Sequence, residues 1–150
     1  MKEKSYVMVK PEFANDSNVV AYVKKRLCDA GLEIVDASYI KYDRASAAKH
    51  YSEHVNKPFY PELEAYITSD KAYGMIVEGE NAISVIREIV GATKNPAEGT
   101  IRYVVPEKLG LERRVTQNVV HASDSVGSAK AEMCLFKDLK LEYSKVCIEK

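Results

Sequence analysis

Asn118-Val119-Val120-His121-Ala122-Ser123-Asp124-Ser125 decides the reading of this chain. A short apolar run with the character of a strand delivers one histidine, and three good helix-capping residues follow at once. Val126, Ala129, Met133 and Phe136 then recur at helical spacing, which predicts a helix over Ser125 to Phe136. A strand that passes straight into a helix holds the histidine between two rigid elements. It also sets the ring near the positive end of a helix, where anions are favoured. The stretch suits a histidine that must meet a phosphate. A lone histidine there also reads as a plain turn residue, because neutral imidazole is easily accommodated.

Working outward, Val115 to Val120 is the last strand candidate and Ser5 to Val9 the first, ending at Lys10-Pro11. Asp16 or Ser17 caps a helix to about Ala30, with Val20, Val23, Leu27 and Cys28 on one face and Gly31 as its stop. Ile34 to Tyr42 reads as a strand, and Arg44 to Glu53 and Pro61 to Thr68 as short helices around Lys57-Pro58. Ala72 to Val77 is a strand closed by Gly79, and Ala82 to Val90 a helix with Ile83, Ile86, Ile89 and Val90 inward. Gly91 to Gly99 is a loop, Arg102 to Val105 a short extended piece, and Pro106 to Arg114 has no clear pattern. The resulting order contains βαββαβ, the ferredoxin-like pattern of an α+β fold. It predicts a four-stranded antiparallel sheet with helices covering one face, in a single domain over residues 1–150.

Composition narrows the function classes. The chain has 150 residues, 46% apolar and 29% charged, with 22 basic and 22 acidic side chains in balance. That is an ordinary globular mixture, with no basic stripe to make nucleic acid a required partner. No apolar run is long enough to cross a membrane, and no signal peptide is read at the start. Cys28, Cys134 and Cys147 are odd in number and lack CxxC spacing. They read as free thiols in a reducing compartment, so the expected location is cytoplasmic.

Several residues point to phosphate chemistry, though each has a plainer reading alone. Lys10 sits at a strand end, Arg87 in an otherwise apolar helix, Thr93 in the glycine-bounded loop and Arg102 after Gly99-Thr100-Ile101. Singly, they read as solvated charges and turn chemistry. Phe59 could stack on a flat base, but an aromatic residue after a Pro break is more often a core anchor. His50 and His54 share a helix face by their spacing, yet no third ligand of HExxH type accompanies them, so no metal site is expected from side chains. Neither glycine-rich phosphate cradle, GxxxxGK[ST] or GxGxxG, is present.

Taken in order, these pieces resemble the nucleoside diphosphate kinase family from about Tyr6 to Phe136. The matching segments are Val9-Lys10-Pro11, His50-Tyr51-Ser52-Glu53-His54, Lys57-Pro58-Phe59-Tyr60-Pro61-Glu62-Leu63, Arg87 with Gly91-Ala92-Thr93 and Asn95-Pro96-Ala97, Gly99-Thr100-Ile101-Arg102, and Asn118-Val119-Val120-His121 with Ser123-Asp124-Ser125 and Glu132. The resemblance implies ping-pong transfer of a γ-phosphate from ATP or another nucleoside triphosphate to a nucleoside diphosphate, through a phosphohistidine on His121. It implies that Lys10, Arg87 and Arg102 neutralise phosphate oxygens, and that Asn118 and Thr93 bond sugar and phosphate. Glu132 would orient His121, Tyr51 would position it, and Phe59 would stack on the base. Mg²⁺ is expected to arrive on the nucleotide phosphates, and a homo-oligomer is implied, a hexamer favoured over a tetramer or dimer. A weakly catalytic nucleotide-binding protein on the same fold is the alternative.

The chain departs from the family pattern in places. Ala122 stands where glycine is usual, so a positive φ there would be strained. Lys94 is added in a loop that is shortened before Gly99. Tyr103-Val104 replaces Gly-Asp, and the segment from Arg102 to Asn118 is several residues longer, which makes Arg113 and Arg114 candidate substitutes for a phosphate contact.

Overall fold

Tyr6, Val7, Met8 and Val9 are all fully buried, so the first strand has no solvent face along this run. In the computed structural model, which describes residues 2–92, 96–110 and 119–140, this strand is β1 (Lys2–Val9). It lies between β3 (Ala72–Glu80) and β4 (Val120–Ala122), and β2 (Glu33–Ile40) adds on beyond β3. The order is β2-β3-β1-β4 and every pairing is antiparallel. The four-stranded antiparallel sheet and the α+β class are as read from the sequence.

The helices do not keep to one face, contrary to the reading above. Val7 and Val9 point into a core built with α2 (Ser17–Asp29), α5 (Ala82–Val90) and α6 (Ile101–Leu109). Tyr6 and Met8 point the other way, into a second core with α3 (Arg44–His50), α4 (Tyr60–Ile67) and α7 (Val126–Leu139). The physical cause is visible in Tyr-Val-Met-Val itself: an unbroken apolar run needs cover on both sides, whereas a half-exposed strand alternates.

Local signals set the helix ends. Asp16 accepts from the N–H groups of Asn18 and Val19 at the start of α2. Asp43 and Ser46 form a reciprocal capping box on α3. Ser125, the last of the three capping candidates, accepts from Ser128 N–H and starts α7. One short helix, α1 (Pro11–Ala14), was not anticipated; Pro11 occupies its first position, where a missing N–H costs nothing.

The extended piece expected at Arg102 to Val105 is helical instead, as part of α6. Ile101 and Val105, four apart, both bury into the α2–α5 core. Burial of that stripe outweighs the β preference of Val104 and Val105. Gly110, with φ 68, ends the helix in the left-handed region.

Candidate active site

His121 is the middle residue of β4 and pairs with Met8 of β1. It therefore faces the α3–α4–α7 side, where α7 passes close. Its Nε2 lies 2.8 Å from Glu132 Oε1, and the Ser123 hydroxyl donates to the same oxygen at 2.7 Å. An ionised carboxylate only accepts, so the neutral ring carries its proton on Nε2 and its lone pair on Nδ1. Ser123 is fully buried and also meets the backbone of Tyr6. The sequence offered Ser123 only as a possible cap; its part in holding Glu132 is a tertiary contact.

Ala122 carries no strain. It pairs with Val7, lies outside the positive-φ residues and buries its methyl in the α2–α5 core. The strained residue is Val119, with φ 77 and no solvent exposure. A β-branched residue in that region is an outlier that the surroundings must hold in place. The Val119 carbonyl accepts from Lys10 N–H at 2.8 Å, which ties the end of β1 to the approach to His121.

Two arginines grip the backbone on either side of the histidine. Arg102 donates to Val120 O at 2.9 Å and to Gly91 O at 2.8 Å. Arg87 donates to Ala122 O at 3.3 Å. Burial, with Arg87 nearby, lowers the Arg102 pKa to about 10. Lys10 is buried too. Loss of solvent first, and the Arg102 charge second, lower its ammonium pKa to about 7. An arriving anion would favour the charged form of this buried amine.

Tyr51, at the end of α3, is buried with its ring 6.4 Å from that of His121. Phe59 is 46% exposed, so it is not a core anchor; its ring is 5.5 Å from that of His54. Among the residues the sequence singled out, His121, Glu132, Lys10, Arg87, Arg102 and Tyr51 come together around β4. Thr93, Lys94, Arg113, Arg114 and Asn118 lie outside the described residues. His50 lies against His121 rather than acting with His54 alone: the two ring centroids are 4.4 Å apart. Burial first, then the charges of His121 and Lys10, hold the His50 pKa well below its usual value. No spacing rule links His50 to His121, so the chain alone could not reveal this contact.

A histidine oriented by a carboxylate and bordered by a lysine and two arginines, on an antiparallel α+β sheet, defines a phosphotransferase class of site. The comparisons with known proteins narrow the class. The family model described as nucleoside diphosphate kinase matches residues 3–140. A nucleoside diphosphate kinase of Staphylococcus haemolyticus is 43% identical over 140 residues, covering 93% of this chain and 91% of that protein. One from Archaeoglobus fulgidus is 47% identical over 137 residues, covering 89% and 85%. The solved structure of a halophilic nucleoside diphosphate kinase from Halobacterium salinarum, in complex with CDP, superposes with a TM-score of 0.82 at 31% identity, covering 95% of this chain and 93% of that one. The chain belongs to the nucleoside diphosphate kinase family.

Proposed function

We propose that this single domain transfers the γ-phosphate of a nucleoside triphosphate to a nucleoside diphosphate through His121. The observation that carries the reading is the 2.8 Å contact of Nε2 with Glu132, which leaves Nδ1 as the attacking nitrogen. Nδ1 bonds to the γ-phosphorus as the bond from phosphorus to the bridging β-γ oxygen breaks, and the diphosphate leaves with that electron pair. Charge that develops on the ring passes partly to Glu132 through the Nε2 proton. An acceptor diphosphate then takes the phosphoryl group in the reverse step, which restores His121.

Lys10, Arg87 and Arg102 neutralise the phosphate oxygens while this happens. On that reading the arginines exchange backbone carbonyls for phosphate when nucleotide binds. Tyr51 positions the histidine, the exposed Phe59 stacks on the base, and Thr93 and Asn118 bond phosphate and sugar. Stacking uses a face that every base has, so a broad choice of base follows.

Mg²⁺ suits this site as a passenger of the nucleotide. The metal-capable group here, His50, His121 and Glu132, supplies two nitrogens and only one oxygen, and that carboxylate already contacts His121 and Ser123. Mg²⁺ prefers oxygen ligands, so phosphates and water hold it, and it supplies charge neutralisation there. The working form is a homo-oligomer, with a hexamer favoured, in the cytoplasm. Among the described residues no helix is long and apolar enough to cross a membrane.

The test is incubation with labelled ATP and Mg²⁺, then transfer to GDP or UDP. Acid-labile label on the protein, passed on to the diphosphate and absent from His121→Ala, is the expected result. Label without transfer supports the nucleotide-binding alternative. No label, with His121→Ala behaving as the parent, sinks the reading. A solution mass measurement checks the assembly.

A further inference from the structure

His50 has a polar atom that the phosphotransfer reading does not use. Its Nδ1 meets the Tyr42 hydroxyl at 3.1 Å, and Tyr42 in turn meets the Tyr6 hydroxyl at 3.3 Å. Its Nε2 is buried and has no hydrogen-bond partner among the described residues. A buried polar atom left in this way calls for a partner beyond those the described residues provide.

One nitrogen of His50, one of His121 and a carboxylate oxygen of Glu132 lie within 4.8 Å of one another. Two imidazoles and one carboxylate are a three-ligand set that zinc-class ions accept, with further positions open to water. Ligands about 2 Å from one ion must lie within roughly 4 Å of each other, so small side-chain rotations suffice. The supporting contacts are already in place. Tyr42 can accept the Nδ1 proton of His50, which leaves the Nε2 lone pair for the ion. The Ser123 hydroxyl holds Glu132. A groove of about 460 Å³, lined in part by His50, His54, His121, Asp124, Glu132 and Asp138, gives a path in.

We propose that His50, His121 and Glu132 form a binding site for a zinc-class divalent ion in the nucleotide-free protein, distinct from the nucleotide-borne Mg²⁺. The ion takes the lone pair of His121 Nε2 in place of its contact with Glu132, and the ring proton moves from Nε2 to Nδ1. No net proton is released from the ring. Nδ1 now carries the proton and cannot attack phosphorus, so occupancy silences His121. The silencing rests on the proposed phosphotransfer; the binding does not.

Untagged protein without nucleotide is titrated with zinc chloride in a calorimeter and with Co²⁺ by visible absorption. One ion per chain is expected. His50→Gln weakens binding at least about tenfold, and Tyr42→Phe, which removes the supporting hydroxyl, weakens it about tenfold. His54→Gln, in the same groove but outside the set, leaves the affinity unchanged. Zinc also blocks labelling from Mg-ATP, and a chelator restores it. Absence of binding overturns the site, as does binding that His50→Gln and Tyr42→Phe leave intact, or that His54→Gln weakens equally. Zinc binding in a protein that takes no label even without zinc leaves this site standing and overturns the phosphotransfer reading instead.

Discussion

Glu132 and His121 are joined by a 2.8 Å contact between Oε1 and Nε2, across the gap between α7 and β4. Side-chain exposures of 21% for His121 and 11% for Glu132 make this a half-sheltered pair, in which, on the proposed mechanism, the carboxylate both orients the ring and answers its developing charge. Glu132→Gln keeps a hydrogen-bond acceptor but removes the charge. Rapid-quench labelling of His121 is expected to slow by ~10–100-fold, a loss of about 1.4–2.7 kcal/mol in the transition state. A rate within twofold of the parent would mean that orientation alone is needed.

Lys10 allows stability and its proposed part in phosphoryl transfer to be tested apart. Its folded pKa of about 7 lies below the ordinary 10.5, so the unfolded chain binds more protons across that window. Stability therefore rises with pH between those two values and is lost as pH falls toward the lower one. Lys10→Met removes a buried ammonium, so the variant gains most over the parent near pH 7, and the gain shrinks toward pH 10. Urea unfolding at both ends of the window checks this; a pH-independent difference contradicts it. The same variant is expected to lose ~10²-fold or more in phosphoryl transfer, with a smaller loss in nucleotide affinity.

Hydrophobic periodicity made α2, β3 and α5 legible, because each buries one regular face or run. It failed at α6, where Arg102 to Val105 looks extended and only the packing of Ile101 and Val105 against α2 and α5 decides for helix. The two-sided cover of the sheet was present in Tyr6 to Val9 but was outweighed by the βαββαβ pattern. Within the candidate site, the sequence singles out His121, Lys10 and Glu132 through their joint order along the chain. The contacts of Ser123 with Glu132 and of His50 with His121 join distant segments, and no local spacing encodes them. Ala122 replaces glycine without strain because it sits in ordinary strand backbone, paired with Val7; the positive φ falls three residues earlier, at Val119, just before β4.

Phe59 offers an exposed ring at the start of α4, 46% open to solvent. A base stacked there would gain about 1–3 kcal/mol. Phe59→Ala is therefore expected to weaken binding of purine and pyrimidine nucleotides alike, by ~5–150-fold, since 1.4 kcal/mol is about a factor of ten. The melting temperature should barely move, because little apolar area is buried in the free protein. A large fall in melting temperature with unchanged affinity would return Phe59 to a packing role.

Val119 gives a reversal of the usual order of two substitutions. In ordinary backbone, alanine is the more stabilising residue and glycine costs about 0.5–1 kcal/mol, because glycine loses more freedom on folding. At φ 77 the balance changes, since the left-handed region costs an L-residue with a Cβ roughly 1–2 kcal/mol and costs glycine almost nothing. Val119→Ala and Val119→Gly both empty the same buried site, so most of the packing loss cancels between them. Urea unfolding should find Val119→Gly more stable than Val119→Ala, by about 1 kcal/mol. The Lys10 N–H bond to the Val119 carbonyl is a main-chain contact that neither substitution removes, so β1 and β4 stay joined in both. If the alanine variant proves the more stable, β4 has shifted to relieve the backbone, and the labelling rate of His121 should then fall in that variant alone.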